Sequence, residues 1–594
     1  MTKWFGIPKI LPFLKPYKTK IIFMIILGLF SSLADSLYPL FNRYALDHFI
    51  AGQTLDGMGL FIGLYVLLVI LQEMDNFYCL YEAGWIEMSV DRDLRDAAFS
   101  HLQTLSFSYF NQNNVGSIHS RVMSDTAKIG ELVAWQMMDI VWNVSYILCI
   151  LAIMVSINLY LALMILLLIP IAVIIILFFQ RRLVSLNRKI REINALITGD
   201  FNEGITGTKT IKTLSVEDVM IADFEKDTLN MRKTSVHNAH YAAMLTSIVG
   251  LLSSVALANI LWQGGWITLD GVVQIGTLSV FMSYAVGLLS PIQGIIATLS
   301  SLIAIQVNIE RFTQLLEEQS DVADRKDVIE KYGDNFHAKK ENWEELIGRV
   351  TFKDVTFRYP DGKENVLEHF DLDIQPGANV AIVGETGAGK STLVNLVCRF
   401  YEPSFGQVLI DGKDARERSQ LWLHSHIGYV LQQPHLFSGS VRDNLRYAKT
   451  DATDEQIWQA LKLVSADQVV EKLPEGLDSD VGEGGDYLST GEKQLLSFTR
   501  ALLADPKILV LDEATSSIDS LTEKAIQQAI DTIIQGRTSF VIAHRLSTIV
   551  NADVILAVQD GKIVEQGTHE ELMKRKGYYA HLYQLQFEDL VENA

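Results

Sequence analysis

Six apolar stretches fill the first half of this sequence and leave it few ways to fold: Ile21–Phe41, Gly59–Leu80, Met138–Ile157, Leu159–Phe179, Ala242–Trp262 and Leu278–Ile305. A helix needs about 20 mostly apolar residues to cross a bilayer. A peptide group in lipid has no water to bond to, so each such stretch must satisfy its own backbone as a helix. The second, third and sixth stretches carry polar residues inside the apolar run, so hydropathy alone ranks them lower.

Basic residues set the orientation. Lys15, Lys18 and Lys20 precede the first stretch, Arg92, Arg95, Arg121 and Lys128 follow the second, and Arg181, Arg182, Arg188, Lys189, Arg191, Lys209 and Lys212 follow the fourth. Arg311 follows the sixth, whereas the alternate connections are almost free of positive charge. Both termini are therefore expected in the cytoplasm. The two basic connections are about 60 residues each, against the usual 2 to 8 between helices. Their helical periodicity predicts helix pairs that continue past the membrane, reaching roughly 35 to 40 Å at 1.5 Å per residue. Turns are expected near Asn113–Ser117 and Gly207–Thr213, where polar and Gly-containing sequence suits a docking tip.

The chain has 594 residues, of which 49% are hydrophobic and 20% charged, and the charge is concentrated after about Glu310. That segregation predicts a membrane part joined to a soluble part. A formal net charge of -20 argues against a nucleic-acid partner, which would need basic stripes. Cys79, Cys149 and Cys398 are too few and too scattered for a metal motif or a disulfide framework. Trp4–Tyr17 alternates apolar and basic residues around Pro8, Pro12 and Pro16, which suits an interfacial segment better than a cleaved leader. The expected boundaries are residues 1–20 for this elbow, 21–314 for the six membrane helices, 315–348 for a polar linker and 349–594 for the soluble domain.

The soluble part carries a phosphate-binding loop in its required strand–loop–helix context. The apolar strand Asn379–Gly384 runs into Gly384, Glu385, Thr386, Gly387, Ala388, Gly389, Lys390 and Ser391, and a helical pattern begins at Thr392. Backbone N–H groups in such a loop curl around phosphates, and the helix start adds partial positive charge. Lys390 would place its charge on the β- and γ-phosphates, and the Ser391 hydroxyl would ligate Mg²⁺. Lys507–Leu511 reads as a buried strand ending in Asp512 and Glu513. Asp512 there can hold Mg²⁺ and Glu513 can position or deprotonate a water.

Together these residues resemble the ATPase domain of ABC transporters. Leu488–Gln494 (LSTGEKQ) is similar to the family's signature segment. By this resemblance Gln432 is the Q-loop glutamine that senses Mg²⁺ and contacts the membrane domain, and Tyr359 is the aromatic that stacks on adenine. Ser516–Asp519 resembles the D-loop, with Asp519 at its end, and His544 resembles the switch histidine on the γ-phosphate. Asp480–Glu483 resembles a short exporter-specific segment, and Phe110–Asp125 the first coupling region. The implied architecture is an exporter-type domain of six transmembrane helices with long cytoplasmic extensions, fused to an α/β P-loop ABC ATPase domain in a multi-pass protein of the cytoplasmic membrane. The resemblance also implies a dimer with exchanged helices and two ATP molecules, each held between one chain's phosphate loop and the other chain's signature.

The usual signature is Leu-Ser-Gly-Gly-Gln. Here Thr490 and Glu492 replace its third and fifth residues around Ser489 and Gly491. Thr490 adds bulk where backbone approaches phosphate, and Glu492 adds negative charge beside an anion. Both changes are expected to weaken the site on the partner's phosphate loop, while Lys390, Asp512, Glu513 and His544 remain in this chain's own half-site. The pattern resembles one half of asymmetric heterodimeric exporters and predicts a second, different half-transporter as partner, with a homodimer as the alternative.

Asp35, Glu73, Asp75 and Asp139 fall within or beside the apolar stretches. Ionisable residues in a bilayer are functional candidates because burying them in lipid is costly. An acidic cavity facing inward would favour small cationic amphiphiles, so drug or lipid-like export is the first expectation. A peptide exporter, an importer on the same fold and an ATP-gated channel or regulator stay open as alternatives.

Overall fold

The computed structural model describes residues 6–512, 520–543 and 546–591. It divides into two units, residues 1–102 with 116–318, and residues 103–115 with 319–594.

Among the described residues of the first half, six helices are long and apolar enough to cross a membrane: Ile7–Ile50, Met58–Leu102, Val115–Ile157, Leu159–Thr206, Glu217–Leu269 and Ile275–Glu317. At 43 to 53 residues each, they extend well beyond the apolar core of a bilayer, as the basic connections predicted. The fourth and fifth pack side by side through Ala172, Ile176, Phe179 and Leu245, with Leu289 and Ile292 of the sixth against them. Leu167, Ile174 and Trp262 on the same helices are exposed, which carries no penalty where the surroundings are lipid. Asp47 accepts a bond from the Gly276 N–H at 2.7 Å, so the end of the first helix caps the start of the sixth. Tyr284 of the sixth donates to the Ser36 carbonyl at 2.6 Å.

The N-terminal segment is helical over Ile7–Leu14 and turns through Lys15–Tyr17. It packs within the membrane unit: Lys9 pairs with Glu317 at 2.8 Å, Phe13 meets Phe312 edge-on, and the Lys20 ammonium lies 3.7 Å from the Trp85 ring centroid. The turn expected near Asn113–Ser117 begins earlier in the chain. The second long helix ends at Leu102, a short helix occupies Phe107–Gln112, and the third long helix starts at Val115. The turn expected near Gly207–Thr213 is a break at Gly207 followed by the short helix Thr208–Leu214.

The described strands of the second unit are β1 (Val350–Phe357), β2 (Leu367–Ile374), β3 (Asn379–Val383), β4 (Phe405–Ile410), β5 (Lys413–Asp414), β6 (Ile427–Val430), β7 (Ile508–Asp512), β8 (Thr538–Ile542), β9 (Val554–Gln559) and β10 (Lys562–Gly567). They form an antiparallel sheet in the order β2-β1-β4-β5 and a second sheet in the order β10-β9-β3-β8-β7-β6. In the latter β9, β3, β8, β7 and β6 run parallel. Both faces are covered, so β3 and β8 are buried along almost their whole length, without the alternation of a half-exposed strand. One core lies around Phe352, Phe370 and Ile382, and another packs Leu461, Leu496 and Ile530 against the opposite face. The carboxyl ends of β3 and β7 flank β8, the place where open parallel sheets bind ligands.

Candidate nucleotide site and membrane pocket

The loop after β3 is shaped by residues that tolerate left-handed backbone. Gly387 and Gly389 take φ of +87° and +102°, a region that a side chain would strain. Gly389 caps the helix Lys390–Val397, so this helix starts where the loop ends. Lys390 bends back and donates to the carbonyls of Gly384 at 2.6 Å and Glu385 at 2.9 Å. Ala388 is buried, and its carbonyl accepts from the Gly561 N–H at 3.1 Å, tying the loop to the β9–β10 turn.

A cavity of about 480 Å³ opens at this point. Tyr359, Thr386, Gly387, Gly389, Lys390, Ser391, Thr392, Gln432 and Asp512 all line it, with Val366 and Ile542. Burial lowers the Lys390 pKa below the ordinary lysine value, and the Asp512 carboxylate opposes that shift. Ser391, Gln432 and Asp512 bring oxygen donors to one space, which is the ligand type Mg²⁺ takes. Tyr359 shares a hydrogen bond of 2.9 Å with Thr392 and is packed edge-on by Phe357 and Tyr401, with centroids 4.9 and 5.0 Å away. Glu513, Asp519 and His544 lie outside the described residues.

The signature residues stand away from this cavity, at the start of the helix Thr490–Leu503. Ser489 and Thr490 are exposed, and Gly491 is buried. Ser489 and Glu492 form a capping box: the Ser489 hydroxyl accepts from the Glu492 N–H, and the Glu492 carboxylate accepts from the Ser489 N–H. The sequence S-x-x-E is the ordinary signal for this motif, although the family comparison alone marked Glu492 as a departure.

The membrane acids separate into two groups. Asp35, Glu73 and Asp139 line one pocket of about 300 Å³, together with Gln72, Cys79 and Trp142. Asp35 is held by the Gln72 side-chain amide and by Trp142 Nε1 at 3.0 Å. Glu73 and Asp139 are exposed. Asp75 is buried and is not among the lining residues, and neither of its carboxylate oxygens has a hydrogen-bond partner among the described residues. Sequence reading missed Gln72 and Trp142, because only the packed helices show which neighbours face Asp35.

Residues 21–292 match the family pattern described as the ABC transporter transmembrane region, and residues 367–516 match the one described as ABC transporter. The "Putative multidrug export ATP-binding/permease protein YgaD" of Bacillus subtilis is 32% identical over 580 residues, covering 97% of this chain and 98% of that protein. The chain belongs to the ABC transporter family. A second Bacillus subtilis relative of this ABC transporter, the "Probable multidrug resistance ABC transporter ATP-binding/permease protein YheH", is 38% identical over 540 residues, covering 90% of this chain and 77% of that one. A solved structure titled as a bacterial Atm1-family ABC exporter with ATP bound aligns with a TM-score of 0.78 at 25% identity, covering 97% of this chain and 98% of that one. This ABC transporter is thus an ATP-hydrolysing, multi-pass membrane protein of the exporter-type half-transporter architecture.

Proposed function

We propose that the chain is one half of a heterodimeric exporter that moves cationic amphiphiles across the cytoplasmic membrane, with ATP hydrolysed chiefly at its own phosphate loop. The membrane pocket supports the cargo class. It sets exposed Glu73 and Asp139 beside the indole of Trp142, which suits a ligand with a positive charge and an apolar ring.

At the nucleotide site Lys390 would contact the β- and γ-phosphates, Ser391, Gln432 and Asp512 would hold Mg²⁺, and Tyr359 would stack on adenine. Glu513 activates water, and His544 holds the γ-phosphate. Asp519 belongs to the loop facing the partner chain. The partner's signature completes this site, and Ser489–Glu492 completes the partner's site. The observation that carries the asymmetry is the capping box. The Glu492 carboxylate takes the Ser489 hydroxyl as a donor at 2.8 Å, so the group that would reach a γ-phosphate is already engaged and stands beside a negative charge.

Dimerisation also supplies a surface for the turn after the fourth long helix. Thr208–Leu214 buries none of its residues within this chain, and Leu214 is exposed. A groove of about 470 Å³ in the second unit, between Tyr429 and Tyr447, would take such a turn from the partner. ATP closing the two ATPase domains would move the long helices through these turns, and hydrolysis would reset them. ATP drives the cycle only by binding the closed state more tightly.

ATP-dependent flux in proteoliposomes tests the proposal across cationic dyes, neutral lipids and peptides. Uptake of cationic dyes into inside-out vesicles, blocked in Glu513→Gln, is the expected result. Movement confined to peptides, or movement in the opposite direction, would overturn it.

A further inference from the structure

The segment Arg399–Glu402 follows the phosphate-loop helix and is contacted both by the short helix Phe107–Gln112 and by residues around the nucleotide cavity. Asn111, on the short helix Phe107–Gln112, donates from Nδ2 to the Tyr401 hydroxyl at 2.9 Å. On the same helix, the Phe107 ring stacks on Phe400 with centroids 5.5 Å apart and planes 23° apart. Tyr401 also sits edge-on to Tyr359 at 5.0 Å and 88°, and Tyr359 lines the nucleotide cavity.

The segment is anchored at both ends. The Arg399 side chain is 2% exposed, and its Nη1 donates to Asp324 and to the Arg418 carbonyl, both at 2.8 Å. Its Nη2 donates to Glu402 at 2.9 Å. Tyr401 is 4% exposed. A buried hydroxyl is costly to leave without its partner, so the bond between Asn111 and Tyr401 holds the two in register. Close-packed interiors pass on small displacements and do not absorb them.

We propose that Tyr401 is a positioning residue through which a base seated on Tyr359 fixes the helix Phe107–Gln112, making the coupling response depend on the base as well as on the phosphates. This rests on the reading of Tyr359 as the base-stacking residue. The base clamps the open face of Tyr359, and Tyr401 supports its other side. The Tyr401 hydroxyl then orders Asn111, and the Phe400–Phe107 stack keeps the helix seated. Phe400 also touches Tyr429 at 5.6 Å. Tyr429 lies on β6, which leads to Gln432, so the same segment receives a second contact from the nucleotide side.

The test is amide hydrogen exchange of residues 107–112 in the purified full complex, saturated with Mg²⁺ and a non-hydrolysable analogue of either ATP or UTP. The purine stacks better than the smaller pyrimidine, so in the unaltered protein exchange slows about tenfold more with the ATP analogue. In Tyr401→Phe and in Asn111→Ala that difference falls to about twofold or less, with ATP-analogue affinity kept within about twofold. The double variant behaves like either single one. A full tenfold difference surviving in Tyr401→Phe or Asn111→Ala, or losses that add in the double variant, would overturn the relay. Tyr359→Ala separates the two readings by its effect on affinity, expected to fall about tenfold. If affinity does not fall, the base-stacking assignment fails and takes the relay with it. If affinity falls while the Tyr401→Phe difference persists, the relay alone fails.

Discussion

Glu492 folds its carboxylate back onto Ser489, accepting from the Ser489 N–H and from its hydroxyl at 2.8 Å each. A residue that looks like a damaged signature is therefore a well-formed helix cap. Its charge and its capping role can be separated by mutation.

Glu492→Gln keeps an acceptor for the cap and removes the charge. It is expected to leave thermal stability unchanged and to tighten ATP at the partner's phosphate loop by on the order of tenfold. Glu492→Ala, which loses the cap, is expected to cost about 1 kcal/mol of helix stability. Nucleotide titration and thermal unfolding of the purified complex check the pair.

Removing charge from the membrane pocket is expected to act on cationic cargo alone. Glu73→Gln and Asp139→Asn should each raise the KM for a cationic dye about fivefold, near 1 kcal/mol, and leave a neutral amphiphile unaffected. Asp35→Asn, which disturbs the bond from Trp142, should affect both cargoes. Asp75→Asn should leave the preference for charge unchanged, since Asp75 does not line the pocket. Transport kinetics on the four variants decide this.

Arg399 is a buried cation held by Asp324 and Glu402. Arg399→Ala strands both carboxylates and is expected to destabilise the second unit by about 3 to 5 kcal/mol. Denaturant unfolding followed by the fluorescence of Trp422, which is buried in the same unit, measures it.

Glu344 gives a pH signature. Hydrogen bonds from Lys413 and Lys331 hold its pKa down at about 2, from an ordinary 4.5. Because the folded value is the lower one, its stabilisation is complete above about pH 4.5 and is lost as pH falls toward 2. Glu344→Gln should cost at most about 1 kcal/mol at pH 7, given its partial exposure to solvent. That difference should shrink as unfolding is measured from pH 5 down to pH 3.

The six membrane helices and the nucleotide loop were legible in the sequence because each depends on short-range chemistry: apolar length in one case, glycine spacing before Lys390 in the other. The start of the first coupling turn was not, because Phe107 and Asn111 are fixed by Phe400 and Tyr401, about 290 positions along the chain. Of the four membrane acids, Asp35, Glu73 and Asp139 come together in one pocket and Asp75 does not. Gln72, Glu73, Asn76 and Cys79 of the second long helix line that pocket, and Asp75 is buried away from it. Sequence placed all four acids at suitable depth, but only packing decided which way each one faced. The cap on Ser489 is written in the local sequence S-x-x-E, because it depends only on residues three positions apart.

The most direct measurement is the number and location of ADP molecules trapped per complex after turnover is arrested with vanadate. An asymmetric sandwich predicts one ADP, bound at the phosphate loop containing Lys390 and lost in Lys390→Ala. Two ADP molecules bound equally to identical subunits would contradict it.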